Sequence, residues 1–421
     1  MQAIILSIGD ELVLGQTVDT NSAWLSAHLA GRGIMTRYHQ TIADDQAAIA
    51  GAFKAASEQA ELVIVTGGLG PTDDDLTRQA MADAMGVELV TDSASAEAIR
   101  TYFARRGREM PQRNLIQAMG PRGATMIPNS CGTAPGLQVR FNQAMIFVTP
   151  GVPSELFAMY RLSIEPYLDQ LAAGLPAMRR TILTMKVNTF GMGESDVADK
   201  LGSLMDRVRN PVVGTTVADG LVSVRVRSEF DDPRRAQSEL NDTVAQVERL
   251  LGAVVIGRES QTLQAALVDL LLSRTLTVAT AESCTGGLVA KFITDVAGSS
   301  GVFAGGWVTY ANEMKTSQLG VPGDLLQKHG AVSEPVARAM ALGALARSGA
   351  QLAVAVTGIA GPGGGTDAKP VGMVWVGIAA RSASSAEPMV DARVFLLPGD
   401  REQVRDRAAK CALQLLRFHA L

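Results

Sequence analysis

Cysteine, histidine and aromatic residues are all scarce in this 421-residue chain, which carries three cysteines, four histidines and 5% aromatics. Cys131, Cys284 and Cys411 stand far apart with no C-x-x-C spacing. That excludes a disulfide framework or a structural zinc site and suits a reducing cytoplasm. His28 and His39 have no second histidine at metal-ligand spacing and read as surface or packing residues. An excess of one charge is missing too: 38 basic against 42 acidic residues leave a net charge of −4. Neither nucleic acid nor an anionic membrane has an electrostatic footprint to bind. The opening MQAIILSIGDELVLG has no basic flank and soon meets Asp10 and Glu11, so it reads as a strand and not as a signal peptide or membrane helix. What is present, 47% hydrophobic and 19% charged residues over a length sufficient for two or three cores, predicts a cytoplasmic, multidomain protein acting on small molecules.

Three segments follow from the patterning. From 1 to about 168, apolar strand runs (Ala3 to Ile8, Ile34 to Thr41, Leu62 to Thr66) alternate with helical periodicity (Asn21 to Ala30, Asp45 to Ala56), the rhythm of a parallel sheet with covering helices. Residues 178–256 read as a small α+β module: strand TILTMKVNTF, a polar helix through Lys200 to Val208, strand GLVSVRVRSE, a helix to Leu251 and strand AVVIG. AGLPAMRR and GRESQT punctuate its borders. Residues 260–421 return to α/β, with a helix at Glu334 to Ser348, strands at Leu352 to Thr357, Val371 to Ala379 and Ala392 to Leu396, and a terminal helix from Arg401.

Ligands of parallel α/β sheets bind beyond the carboxyl ends of the strands, and TGGLGPTDDD at 66–75 sits at such an end. Gly67, Gly68 and Gly70 allow close backbone approach to a phosphate. Asp73, Asp74 and Asp75 either hold a divalent cation beside that phosphate or cap the next helix. Asp19 and Asn21 read as helix caps, and Glu155 as a cap or ligand.

In the last segment, AESCTGG (281–287), AGSSGVF (297–303), VTYANEMK (308–315) and TGIAGPGGG (357–365) bring hydroxyls, glycines, a tyrosine and a lysine to loops and strand ends. A serine nucleophile needs a base, and no histidine lies in 281–315, which leaves Lys315. A free lysine, with a pKa of about 10.4, is protonated and must be depressed to serve. Spacing alone favours Lys315 as a surface lysine on a short helix, and leaves the nucleophile open among Ser283, Thr285, Ser299 and Ser300. Tyr310 would relay a proton or hold the lysine, and Gly286, Gly287 or Gly358 would offer N–H groups to an oxyanion. Cys284 has no histidine partner and reads as a buried thiol. His329 with Glu334 reads as structural, with Ser333 as a helix cap.

GDELVLGQTVDTN, TIADD, TGGLGPTDDDLT, CGTAPG and VTPGVPSE, in that order, resemble the molybdopterin-binding (MoaB/MogA-like) domain at the front of CinA proteins. The resemblance implies that Asp44 and Asp75 lie in a phosphate pocket, and that the domain is a metal-dependent pyrophosphatase acting on ADP-ribose. Residues 261–421, through TAESCTGG, AGSSGVF, VTYANEMK, HGAVSEPVA, TGIAGPGGGTDAKPVG and PGDR, resemble the CinA C-terminal domain, also found alone as nicotinamide mononucleotide (NMN) amidohydrolase. That resemblance implies Ser300 as nucleophile, with Ser283 ranked second, Lys315 as general base and Tyr310 as assistant. It also implies Ser283, Thr285, Gly286, Thr357, Gly358 and Arg401 as pocket residues, with Arg401 suited to the substrate phosphate. It implies a KH-like central module, a homodimer, a divalent ion held by Asp44, Asp73, Asp74 and Asp75, and no cofactor for the C-terminal reaction. Two rival expectations remain: a molybdenum-cofactor protein binding a pterin, and a non-enzymatic competence or recombination accessory protein.

Overall fold

The computed structural model describes residues 1–174, 180–218, 220–381 and 387–421. Positions 175–179 of the AGLPAMRR border lie outside the described residues. The chain divides into two compact units: residues 1–183 with 228–239, and residues 184–227 with 240–421.

Unit 1 begins with β1 (Gln2–Ile8), α1 (Asp10–Val13), α2 (Thr20–Ala30), β2 (Met35–Ile42), α3 (Gln46–Gln59), β3 (Leu62–Thr66) and α4 (Thr77–Met85). It continues through β4 (Leu89–Thr91), α5 (Ser93–Ala104), β5 (Met119–Pro121), β6 (Thr125–Ile127), β7 (Gly136–Phe141), β8 (Ala144–Thr149), α6 (Pro153–Met159) and α7 (Glu165–Gly174). The main sheet has the order β2-β1-β3-β8-β7-β6. Its first four strands are parallel; β7 and β6 join antiparallel. Alternate residues of the central strands face opposite cores. Ile4, Leu6, Val63 and Val65 pack with Ile49, Phe53 and Met81, while Ala3, Ile5, Leu62 and Ile64 pack with Leu25, Leu29, Leu156 and Met159. Full burial of one such aliphatic side chain contributes about 1.5–3 kcal/mol, and burial on both faces is why these strands read as unbroken apolar runs.

The central sheet is β10-β11-β9-β12, formed by β9 (Thr181–Phe190), β10 (Val212–Ala218), β11 (Leu221–Phe230) and β12 (Val255–Arg258), with α8 (Glu194–Leu201) and α9 (Pro233–Leu251) between them. Two details differ from the sequence reading. The polar helix stops at Leu201, because Gly202 turns the chain at φ 49°, ψ −122°, and does not run on to Val208. Val212–Ala218 forms a strand that Pro211 and Gly214 conceal in the sequence, paired antiparallel with β11.

The remainder of unit 2 contains α10 (Leu263–Arg274), β13 (Val278–Glu282), α11 (Leu288–Thr294), β14 (Phe303–Val308), α12 (Asn312–Leu319), α13 (Gly323–His329) and α14 (Glu334–Ser348), followed by β15 (Leu352–Gly358), β16 (Met373–Ala380), β17 (Met389–Leu396) and α15 (Arg401–Ala420). The sheet order is β14-β13-β15-β16-β17, with β14, β13 and β15 parallel and the last two strands antiparallel. This sheet is also covered on both faces. Val278, Val354 and Val356 pack with α10, α11 and α15, whereas Ala279, Ala281, Ala353 and Ala355 pack with α12 and α14. The alanine face admits close approach, and within it Gly343 of α14 lies so near the Leu319 carbonyl that a Cβ would collide with it. That contact seats α12, which carries Lys315.

Candidate active site

Because β13, β14 and β15 are parallel, the residues that follow them emerge at one edge of the sheet. Ser283 follows β13, and its N–H donates to Val356 O of β15 at 2.9 Å. Thr309 and Tyr310 follow β14, and Thr309 N–H donates to Glu282 O at 2.8 Å. Lys315, one turn into α12, is 1% exposed and points back into this junction. Its Nζ donates to Thr309 O at 2.9 Å and Tyr310 O at 3.1 Å, and lies 3.2 Å from Ser283 Oγ. Burial pushes its pKa below the ordinary lysine range. The surface-lysine alternative is thereby removed.

Ser300 is not in this junction. It sits in the turn Ser299–Gly301 before β14, exposed, while Tyr310 and Lys315 come after that strand. The six residues of β14, at about 3.3 Å each, put Ser300 about 20 Å from the Lys315 end. The expected pairing of Ser300 with Lys315 is therefore corrected to Ser283 with Lys315. Tyr310 is corrected in part. Its carbonyl holds Lys315, but its phenol, on a 59% exposed side chain, accepts from Arg401 Nη2 at 3.0 Å.

Arg401 also donates through Nη1 to Gly361 O at 2.7 Å, so it is fixed at the rim with donors to spare. Thr357 Oγ1 donates to Ala331 O at 2.8 Å, and Thr357 and Gly358 end β15 beside Ser283. Thr285 Oγ1 is buried and, among the described residues, has no hydrogen-bond partner. Gly286 (φ +60°) and Gly287 (φ +98°) make the left-handed turn of the serine loop. Their N–H groups are not free for an oxyanion: Gly286 N–H donates to Ser283 O at 3.1 Å and Gly287 N–H to Glu282 Oε2 at 2.9 Å. Burial pushes the Cys284 thiol up to about 12, so it is inert at neutral pH.

Two residues of this site were not singled out in the sequence. Glu282, 1% exposed, accepts the N–H groups of Gly287, Val289 and Ala290. Arg405, on α15, donates to the carbonyls of Cys284 and Thr285. An acidic residue ending the apolar run TVATAE was a readable signal for the first. Nothing local marks the second. Glu334 pairs with Arg338, and Ser333 Oγ donates to Gly330 O, so neither joins the site and Ser333 makes no side-chain cap.

Unit 1 holds a cleft of about 560 Å3 beyond the ends of β1, β3 and β8, lined by Glu11, Asp44, Gly67, Gly68, Gly70, Asp74, Asp75 and Glu155, among others. Asp44 and Asp10 exchange bonds, Asp10 N–H to Asp44 Oδ2 at 2.9 Å and Asp44 N–H to Asp10 Oδ1 at 3.1 Å. Burial, with Asp10, Glu11 and Asp74 nearby, raises the pKa of Asp44 against the bond from Asp10 N–H. The glycines serve the loop more than a phosphate. A Cβ at Gly67 (φ +110°) would strike Ile8 O, and its N–H donates to Thr149 O at 3.0 Å. A Cβ at Gly68 would strike Thr77 Oγ1. Gly70 N–H donates to Asp75 Oδ1 at 2.6 Å.

The four-aspartate metal set is corrected as well. Asp75 accepts from its own loop, at Gly70 N–H and Thr72 N–H, and Asp73 does not line the cleft. Among the described residues no three His, Cys, Asp or Glu side chains converge to hold a metal. The loop is held from beneath by Arg78, whose guanidinium donates to Leu69 O and Gly70 O. Burial lowers its pKa to about 10. Asp19 accepts from Ser22 N–H as a helix cap, while Asn21 ties Thr66 Oγ1 to Gly151 O across the strand ends. Glu155 accepts from Asn129 and so fixes the CGTAPG loop. Among the described residues no helix is long and apolar enough to cross a membrane.

Comparison with known proteins gives three family matches along the chain. Residues 260–419 match the family described as the CinA C-terminal domain, residues 184–257 the damage-inducible protein CinA KH domain, and residues 4–170 the "Probable molybdopterin binding domain". The chain is 41% identical over 422 residues to a CinA-like protein of Geobacter sulfurreducens, covering 100% of each chain. It is 43% identical over 422 residues to a CinA-like protein of Chlorobaculum tepidum, covering 98% of this chain and 97% of that one. The crystal structure of competence/damage inducible protein CihA from Agrobacterium tumefaciens is 44% identical, over 37% of this chain and 91% of that chain, with a TM-score of 0.34. With two full-length relatives above 40% identity and three domain matches in order, this chain belongs to the CinA family.

Proposed function

We propose that unit 2 hydrolyses the carboxamide of NMN to nicotinate mononucleotide and ammonia, with Ser283 as nucleophile and Lys315 as its base. One observation carries the chemistry: the buried Lys315 Nζ has two backbone carbonyls and Ser283 Oγ as its partners. A neutral amine that spends its two N–H groups on Thr309 O and Tyr310 O directs its lone pair at the Ser283 hydroxyl. Burial favours that neutral form.

Ser283 Oγ attacks the carboxamide carbon while its proton passes to Lys315. The tetrahedral intermediate collapses as the Lys315 ammonium returns that proton to the departing nitrogen, which leaves as ammonia. Water then attacks the acyl-Ser283 ester with Lys315 again taking a proton, and the carboxylate product and free serine result. Arg401, held by Gly361 O and the Tyr310 phenol, has donors left for the phosphate of the substrate. The substrate itself comes from the family resemblance. Acid quench of the full chain with NMN, followed by peptide mass measurement, tests the intermediate: acylation at Ser283 supports the reading, and acylation at Ser300 or nowhere during turnover contradicts it.

For unit 1 we infer cleavage of ADP-ribose at its diphosphate. The position of the cleft at the strand ends and its carboxylates support this, and both substrates then belong to NAD turnover. The side chains present do not form a ligand set for the divalent ion that the resemblance implies, so no step is routed through it. Pterin binding is the competing outcome: co-purified pterin fluorescence without ADP-ribose turnover would replace this half of the reading.

A further inference from the structure

We propose that Glu282 and Arg405 form a two-sided clamp that positions Ser283 without touching substrate, an assignment that rests on the reading of Ser283 as nucleophile. Glu282 is the last residue of β13 and immediately precedes the serine. Its carboxylate accepts from Gly287 N–H at 2.9 Å and Val289 N–H at 3.1 Å through Oε2, and from Ala290 N–H at 2.9 Å through Oε1. Strand, serine loop and the start of α11 are thereby tied to a single side chain. From the other side Arg405 donates Nε–H to Cys284 O at 3.1 Å and Nη2–H to Thr285 O at 2.8 Å.

A carboxylate is costly to bury, and the cap position of α11 itself supplies no side chain, since Gly287 is left-handed at φ +98°. The acid instead comes from the residue beside the nucleophile and spans the loop to reach three donors. Such a span fixes the loop at both ends, where a local cap would fix only the helix. The clamp also decides which N–H groups remain. Glu282 consumes Gly287, Val289 and Ala290, and Gly286 donates to Ser283 O. In a trans peptide the C=O and N–H point in opposite directions, so the guanidinium on Cys284 O directs the Thr285 N–H away from α15. The oxyanion donor would then be a group that Arg405 orients and polarises. Neither residue is a catalytic group; both act through the placement of Ser283.

The test uses the full chain and three variants, Glu282→Gln, Arg405→Met and Arg405→Lys. Three quantities are measured: the rate of Ser283 phosphonylation by a fluorophosphonate, kcat and KM for NMN, and the thermal midpoint. Glutamine keeps the size of the side chain but turns an NH2 toward one of the three N–H donors, and methionine removes the bonds to both carbonyls. A displacement of about 1 Å at a nucleophile costs about 100-fold. Phosphonylation rate and kcat should therefore both fall by about 10- to 100-fold in Glu282→Gln and Arg405→Met, with KM within about threefold of wild type. Arg405→Lys, which can hold one carbonyl, should fall between wild type and Arg405→Met. Phosphonylation and kcat within twofold of wild type in the folded variants would overturn the clamp, and so would a loss confined to KM. A wild type that is phosphonylated at Ser283 but does not turn over NMN refutes the substrate while the labelling rates still judge the clamp. Should Glu282→Gln not fold, the two Arg405 variants decide. Labelling of the wild type at another residue overturns clamp and nucleophile together.

Discussion

Replacing Lys315 by methionine separates a catalytic lysine from a merely structural one. The side chain is 1% exposed and has three partners, so the variant keeps the aliphatic stem and loses the amine. Losing a positioned general base costs about 100- to 10,000-fold, equivalent to about 2.7–5.5 kcal/mol of transition-state stabilisation. The structural cost is smaller. Thr309 O and Tyr310 O each lose a donor, at about 1 kcal/mol apiece, and removal of a group whose charged form is disfavoured by burial works in the opposite direction. For a unit of this size a net loss of up to 2 kcal/mol corresponds to about 4–8 °C in thermal midpoint. Lys315→Met should therefore fold, melt within about 8 °C of wild type and bind NMN with an unchanged KM, yet show kcat lowered by at least about 100-fold. Steady-state ammonia release and differential scanning calorimetry on the same preparation give both numbers. A kcat within tenfold of wild type would refute the role of the lysine, and a variant that fails to fold would show that the buried amine is chiefly structural.

The same amine sets a pH dependence. Only neutral Lys315 accepts the serine proton, so kcat should rise with pH through a midpoint below the free-lysine value of about 10.4, and a midpoint at or above that value would count against the depressed pKa. Because the folded pKa is lowered, the unfolded chain holds the proton where the folded chain has released it. Stability contributed by this group therefore increases with pH between the folded pKa and about 10.4, visible as a denaturation midpoint that rises less steeply in Lys315→Met. Arg401→Met should raise KM for NMN by about tenfold or more with kcat little changed, since one charge-assisted phosphate contact contributes about 1.5–3 kcal/mol; a loss confined to kcat would move Arg401 out of phosphate binding. Gly343→Val, which drives a side chain into Leu319 O, should destabilise unit 2 by about 1–3 kcal/mol and lower activity by displacing α12, both read by calorimetry and turnover.

Much of the scaffold was legible because burial on both faces leaves a plain mark: LVIV and LAVAV are uninterrupted apolar runs, and helices such as Glu334–Ser348 were bounded by proline, serine and glycine. Strand β10 was not, since its pairing with β11 depends on tertiary contact that overrides the poor strand character of Pro211 and Gly214. The proposed nucleophile shows a different limit. Ser283 and Ser300 lie in equally hydroxyl-rich motifs, and sequence spacing does not weigh them. The parallel sheet does. Groups that follow β13 and β14 share one edge, whereas a group preceding β14 lies at the other. Applied to the sequence, that rule already favours Ser283 over Ser300. Arg405 was out of reach in principle, because its bonds to Cys284 and Thr285 join positions about 120 residues apart.

The central claim is that Ser283, activated by Lys315, opens the nicotinamide carboxamide. Ammonia release from NMN by the wild type, Ser283→Ala and Ser300→Ala, measured side by side on the full chain, tests it most directly. The account predicts turnover by the wild type, a loss of at least about 1,000-fold in Ser283→Ala, in line with the removal of an activated serine from a hydrolase, and near-wild-type turnover in Ser300→Ala. Turnover retained in Ser283→Ala, or abolished in a folded Ser300→Ala, would contradict it.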